Sequence, residues 1–261
     1  MRKFVSLSIG VILITVLIVF TQAQQLSDKA QLGRELFHDP TFKGTIKPGS
    51  KPGNATGLTC ANCHADFDEK ENPDGLIRAG HSIIGVPGRG SAKGGMITAE
   101  NFERAAGGGG FCYEHFLQRI AGDKVNPTAI PEEHAEALMA YFKAVSGDNK
   151  GPQFKMEMLD TAEKTAAGEK IAAMSGNSET GWELFGRACV VCHPTPFKAG
   201  IGTQLVRSRA PRDIDKTMVR WASKIRGGGF LMPFYATDIL SDQDIADILA
   251  FLREQMENTA R

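Results

Sequence analysis

Two pentapeptides in this 261-residue chain have residue types and spacing that can do chemistry: Cys60-Ala61-Asn62-Cys63-His64 and Cys189-Val190-Val191-Cys192-His193. Two thiols separated by two residues, with histidine directly after the second, form the attachment signature for a c-type haem. The order matters. The thiols form thioether bonds to the porphyrin vinyl groups, and the histidine then lies under the ring, where its imidazole binds the iron. A structural zinc site would need a further Cys or His pair at similar close spacing, and none follows either copy. The chain is therefore expected to carry two covalently bound haem c groups. Their attachment thiols would be Cys60, Cys63, Cys189 and Cys192, and their first iron ligands His64 and His193.

Charge and cysteine arithmetic narrow the field. Lysine plus arginine (30) equals aspartate plus glutamate (30), so no strong field argues for nucleic acid, and none is expected as a partner. Of five cysteines, four belong to the two motifs and Cys112 is left over, which excludes a disulfide framework within the monomer. The length suffices for one large or two ordinary domains.

Residues 1–23 read as a signal peptide or, if uncleaved, as an N-terminal anchor. Arg2 and Lys3 form a positive start, Phe4–Phe20 is an apolar run of 17 residues, and Thr21-Gln22-Ala23 supplies small residues at a cleavage point. The run is at the short end for a membrane span, and membrane anchoring would pass only through residues 4–20. Either way the globular part is expected to be periplasmic or otherwise exported, as haem attachment outside the cytoplasm demands. Removal of residues 1–23 takes two of the 30 basic residues, leaving 28 against 30 acidic ones.

The elements that must position the motifs occur twice. Ser27–Phe37 has Leu32, Leu36 and Phe37 at helical spacing and leads, through a loop rich in glycine and proline, to the first motif. Residues 181–187 lead directly into Cys189, and GRELF (33–37) agrees with GWELF (181–185) at four of five positions. Downstream, NFERAAGGGGF (101–111) matches RWASKIRGGGF (220–230). Each half then closes in an amphipathic helix, predicted over Pro131–Val145 and Asp242–Met256. Ser241 with Asp244 forms a helix-start signal for the second.

Each half resembles the class I cytochrome c fold, a small all-helical domain wrapped around one haem. The resemblance covers nearly all of the chain outside the leader and implies an all-α protein of two tandem domains, one haem c in each. It also implies that the leading and closing helices of each half cross beside the haem. The expected organisation is a first domain over 25–147, a linker with one extra helix over 148–177, and a second domain over 178–257.

For the second haem, GGGFLMPF (227–234) makes Met232 the expected distal ligand. A thioether suits low-spin haem iron and raises its potential, and the glycines let the backbone pass close to the ring. The alternative is that Met232 only fills space. The first half departs from this pattern. Aligning Phe111 with Phe230 places Tyr113 where Met232 stands, which leaves Cys112 and His115 as candidates, with His81, Met96 and Met139 further off. A free exposed thiol would be vulnerable in an oxidising compartment, and a role as thiolate ligand would explain Cys112. His115 would instead give bis-histidine ligation, and a third reading leaves Cys112 simply buried and His115 at the surface. Either ligand puts the first haem at a lower potential than the second. His38 and His134 read as surface residues, and Arg207, Arg209 and Arg212 as solvated or paired with haem propionates.

Residues 80–86 (GHSIIGV) through 111–116 (FCYEHF) are similar to haem domains of thiosulfate dehydrogenases and related sulfur-oxidation cytochromes, in which a cysteine binds the iron distally. Cys112 matches that ligand position; His115 does not. LGRELFHDP (32–40) is similar to the start of bacterial dihaem cytochrome c peroxidases, but the glycine-run Met-Pro loop and the shorter length depart from them. The leading expectation is an exported dihaem cytochrome c passing single electrons between redox partner proteins. The enzymatic alternatives are oxidation of a sulfur compound or reduction of hydrogen peroxide at the first haem.

Overall fold

The computed structural model describes residues 26–48, 54–68, 70, 72–88, 109–118, 130–149, 159–207, 211, 213–229 and 232–259. The first half opens with helix α1 (Asp28–His38) and a two-residue parallel pair, β1 (Lys47–Pro48) with β2 (Asn54–Ala55). One helical turn follows as α2 (Cys60–Cys63), then α3 (Gly109–Cys112), which runs on as a π-helical turn at Tyr113–Leu117. Helix α4 (Glu132–Ser146) closes the half. The second half contains α5 (Thr161–Ala172), α6 (Ser178–Ala188), α7 (Ile214–Gly227) and α8 (Asp242–Thr259).

The helix starts follow from capping side chains. Ser27 Oγ accepts the Ala30 amide at 3.3 Å to start α1, and Asn177 Oδ1 accepts the Thr180 amide at 2.9 Å to start α6. Ser241 and Asp244 bond reciprocally at 2.8 and 3.1 Å, so the signal read from the sequence does open α8.

In each half the leading helix crosses the closing one at a glycine. Gly33 of α1 lies so close to the Ala137 carbonyl of α4 that a Cβ would overlap it, and Gly181 of α6 stands in the same relation to the Asp247 carbonyl of α8. The aromatic contacts recur as well. Four residues beyond each of those carbonyls, Tyr141 meets Phe37 with ring centroids 5.9 Å apart and planes at 58°, and Phe251 meets Phe185 at 5.6 Å and 55°. Such tilted pairs are favourable beyond their buried area. Two apolar cores result. One holds Leu36, Phe37, Phe42, Leu138 and Phe142; the other holds Phe185, Met218, Ile245, Ile248 and Leu252.

The extra helix α5 packs along α7 and also touches α8, and its Ile171 is wholly buried in the second core. Gly168 makes that approach close, since a Cβ there would overlap the side chain of Ser223. The glycine runs that align in sequence differ in structure. In the second half the run ends a helix, with Gly228 at φ 70°; in the first, Gly109 and Gly110 begin one. Tyr113 is thus helical where its aligned partner Met232 lies beyond a chain reversal, with Gly229 and Met232 exchanging backbone bonds at 3.0 and 2.8 Å. Most of residues 101–111, Met96 and the leader at 1–23 lie outside the described residues, as do Arg209 and Arg212. Among the described residues no helix is long and apolar enough to cross a membrane.

Candidate haem-attachment sites

Each CxxCH motif is a single tight turn. The His64 amide donates to the Cys60 carbonyl at 2.9 Å, and the His193 amide to the Cys189 carbonyl at 2.8 Å. A bond across four residues brings both thiols of a motif and its imidazole to one side of the chain. Asn62 Oδ1 further holds the first turn by accepting the Thr59 amide at 2.7 Å, and Arg78 Nε donates to the Ala61 carbonyl at 2.9 Å.

The imidazoles are oriented by the backbone in the same way twice. His64 Nδ1 meets the His81 carbonyl at 2.8 Å, and His193 Nδ1 meets the Thr203 carbonyl at 2.9 Å. A carbonyl only accepts, so Nδ1 carries the proton in each ring and Nε2 is the atom left to bind a metal. The residue before each carbonyl is a glycine pressed on the ring. A Cβ on Gly80 would come within 2.8 Å of His64 Nε2, and one on Gly202 within 2.6 Å of His193 Nε2. The amides of Gly80 and Gly202 donate to the Cys63 and Cys192 carbonyls, both at 2.8 Å. Turn, carbonyl and glycine together form a cradle that fixes each ring. Burial also pushes the His193 pKa down, towards the neutral imidazole that ligates iron.

The thiols fit the same use. All five cysteines are free and partly or wholly buried. Burial raises Cys63 and Cys189 to about 12, with nearby thiols adding to the effect. Cys112 is partly buried, its thiol pushed up to about 11 by that burial, and it lies near enough to Cys60 and Cys63 to oppose their ionisation. Three sulfurs thus gather at the first motif. Beside Cys112, Tyr113 is 1 % exposed, and its hydroxyl has no hydrogen-bond partner among the described residues. That orphaned donor and the glycine cradles are what a bound porphyrin would explain. The backbone of His115 lies in the π-helical turn Tyr113–Leu117. Met232 is half-buried against the second core.

Of the two histidines read as surface residues, His134 differs and His38 agrees. His134 is not solvated: its ring meets Phe42 at 5.3 Å, and Nδ1 is buried without a partner among the described residues. Burial lowers its pKa accordingly. His38 is exposed and bonds Asp66 at 2.9 Å, and Arg207 is exposed. Sequence reasoning missed Gly80, Gly202 and Thr203, and it weighed His81 only as a distant candidate ligand, whereas its carbonyl orients His64 and its ring pairs with Asp238. The cradle residues stand 16 and 17 residues after His64 but 9 and 10 after His193, so no fixed spacing marks them.

Crossed helices over a cradled CxxCH turn define the second half as a cytochrome c domain, of the kind that holds haem c covalently and transfers electrons. Residues 176–252 match the family described as cytochrome c oxidase, cbb3-type, subunit III. A search of curated proteins returned no match to the chain.

Proposed function

We propose that the chain is an exported dihaem cytochrome c that passes single electrons between redox partner proteins. The observation that carries this reading is the repeated cradle: the first motif has the same turn, the same ring-to-carbonyl bond and the same close glycine as the second. Two such sites support a tandem pair of cytochrome c domains. Cys60, Cys63 and His64 would hold one haem, and Cys189, Cys192 and His193 the other. The bound groups supply a one-electron couple; the chain's own part is to orient the imidazoles, exclude water and set the potentials through the distal ligands.

Met232 is the proposed distal ligand of the second haem, in keeping with its half-buried place on the glycine-linked reversal. Cys112 is the proposed distal ligand of the first, supported by its burial beside Cys60 and Cys63, with His115 as the alternative. A metal deprotonates a coordinating thiol outright, which overrides the effect of burial. Export rests on the leader read in residues 1–23 and on the need to attach haem outside the cytoplasm.

The buried Cys112 also favours a second reading, oxidation of a sulfur compound at the first haem; peroxide reduction there has no such support. The experiment is a mass and haem measurement on the purified protein, followed by redox titration and assays with thiosulfate and peroxide. Two added haems, two unequal potentials and no turnover are the expected results. A mass without two haems would overturn the proposal, and thiosulfate turnover would select the enzymatic reading.

A further inference from the structure

Each histidine cradle is rooted in the opposite half of the chain. Ala79, the residue before Gly80, packs with Ile77 against the second core. Ile201, the residue before Gly202, packs with Val191 and Cys192 against the first. The root of the first cradle is also hydrogen-bonded. The Ile77 amide donates to the Arg187 carbonyl at 2.9 Å, and Arg187 Nε donates to the Gly75 carbonyl at 2.8 Å. At the other end of the segment, His81 Nε2 donates to the Asp238 carboxylate at 3.0 Å. The carbonyl of the same His81 accepts His64 Nδ1 at 2.8 Å.

Arg187 lies in the last turn of α6 and Asp238 in the loop between Met232 and α8, so both belong to the second half. Residues 75–81 thus form a strap from that half to the first motif. The strap reaches the motif through Arg78 Nε on the Ala61 carbonyl and the Gly80 amide on the Cys63 carbonyl. Asp238 is 58 % exposed, and an ion pair so open adds little to stability. What it fixes is the place of the His81 carbonyl, and through it the ring of His64.

We propose that Asp238 and Arg187 are positioning residues for His64, by which the second half sets the reduction potential of a haem held by the first motif. This rests on that motif carrying haem. A firm bond from Nδ1 to a backbone carbonyl raises the basicity of the other ring nitrogen as a metal ligand. A stronger donor favours ferric iron, so slackening the strap should weaken the donor and raise the midpoint. Charge alone acts differently. Removing a carboxylate raises a nearby midpoint and removing a guanidinium lowers it, whatever happens to the strap. Asp238→Asn removes the charge but keeps an oxygen that accepts from His81.

The test uses the full-chain holoprotein, with haem content counted first and both midpoints read by potentiometric titration. A double variant, Cys60→Ser with Cys63→Ser, lacks the first haem and so identifies its midpoint. If that variant does not fold, Cys189→Ser with Cys192→Ser, which keeps only the first haem, makes the same assignment. Asp238→Ala should raise the first midpoint, alter the paramagnetic resonance of that haem's ferric form and leave the second midpoint in place. Asp238→Asn should stay close to wild type in both readings. Arg187→Ala should raise the first midpoint too, against the sign of its charge effect. Three results would each overturn the inference while leaving the dihaem reading intact: equal shifts in Asp238→Ala and Asp238→Asn, a first midpoint unmoved by Asp238→Ala, or an Arg187→Ala first midpoint at or below wild type. Wild-type protein without haem at the first motif would overturn both.

Discussion

Gly202 lies flat against the imidazole of His193, so close that a Cβ would come within 2.6 Å of Nε2. The ring cannot retreat, because Nδ1 is tied to the Thr203 carbonyl one residue on. Gly202→Ala is therefore expected to displace the ring at a penalty of about 1–3 kcal/mol, as for other overpacked sites. The readout is haem per chain, which on the dihaem reading proposed above should fall from two towards one. Gly80→Ala should do the same at His64. Gly186→Ala, where nothing lies within 4 Å of the added Cβ, is the control and should leave the haem count unchanged.

The helix crossings make a second prediction. Gly181 and Gly33 each face a backbone carbonyl of the closing helix, and backbone cannot rotate away as a side chain can. Alanine at either position should separate the helices and cost about 1–3 kcal/mol of stability despite its better helix propensity. Denaturant unfolding would measure it. An unchanged midpoint for Gly181→Ala would contradict the crossing.

The crossing and the cradle differ in how much of them the sequence discloses. Helix ends were legible because local chemistry sets them: Ser27 and Ser241 cap the helices they were expected to start. The paired GRELF and GWELF segments disclosed a repeat, and the crossings in both halves followed only from the resemblance to the class I cytochrome c fold. The cradles were hidden because the loops between histidine and glycine differ in length, so spacing carries no signal. The burial of α5 was hidden for another reason. Its sequence is rich in alanine and charge, and a single residue, Ile171, anchors it in the core while Gly168 allows the approach. The polarity of that segment suggested a linker; the fold uses one side of it.

Asp242 contributes one pH-dependent part of the stability. Its carboxylate accepts Lys170 Nζ at 2.8 Å and Arg226 Nη2 at 2.7 Å, and these bonds hold its pKa below the usual carboxylate range. A carboxylate depressed in the folded state adds stability above its unfolded pKa of about 3.9 and loses it as pH falls through the folded value. Asp242→Asn leaves the buried Arg226 without a charged partner, and at neutral pH it should lose about 1–3 kcal/mol. The difference from wild type should shrink as pH falls from about 3.9 through the lower folded value, below which wild-type Asp242 is also neutral. Unfolding curves at neutral and acid pH check both the size and the sign.

On the dihaem reading proposed above, the distal ligands should separate the two haem sites spectroscopically. Replacing Met232 by histidine exchanges a thioether for a nitrogen donor, and Met/His ligation is the arrangement that raises potential. Met232→His should therefore lower the higher of two midpoints and leave the lower one in place. Cys112→Ser should act on the other site, altering the paramagnetic resonance of its ferric form and shifting only the lower midpoint. His115→Ala is the matched control for that assignment. Met232→His and Cys112→Ser thus each move one midpoint of two while His115→Ala moves neither, and a potentiometric titration reads both midpoints at once. If Cys112→Ser left the spectrum of the ferric protein untouched while His115→Ala changed it, the thiolate assignment would give way to the histidine one. Should Met232→His shift neither midpoint, the sulfur of Met232 is core packing, and the second haem takes its distal ligand from elsewhere.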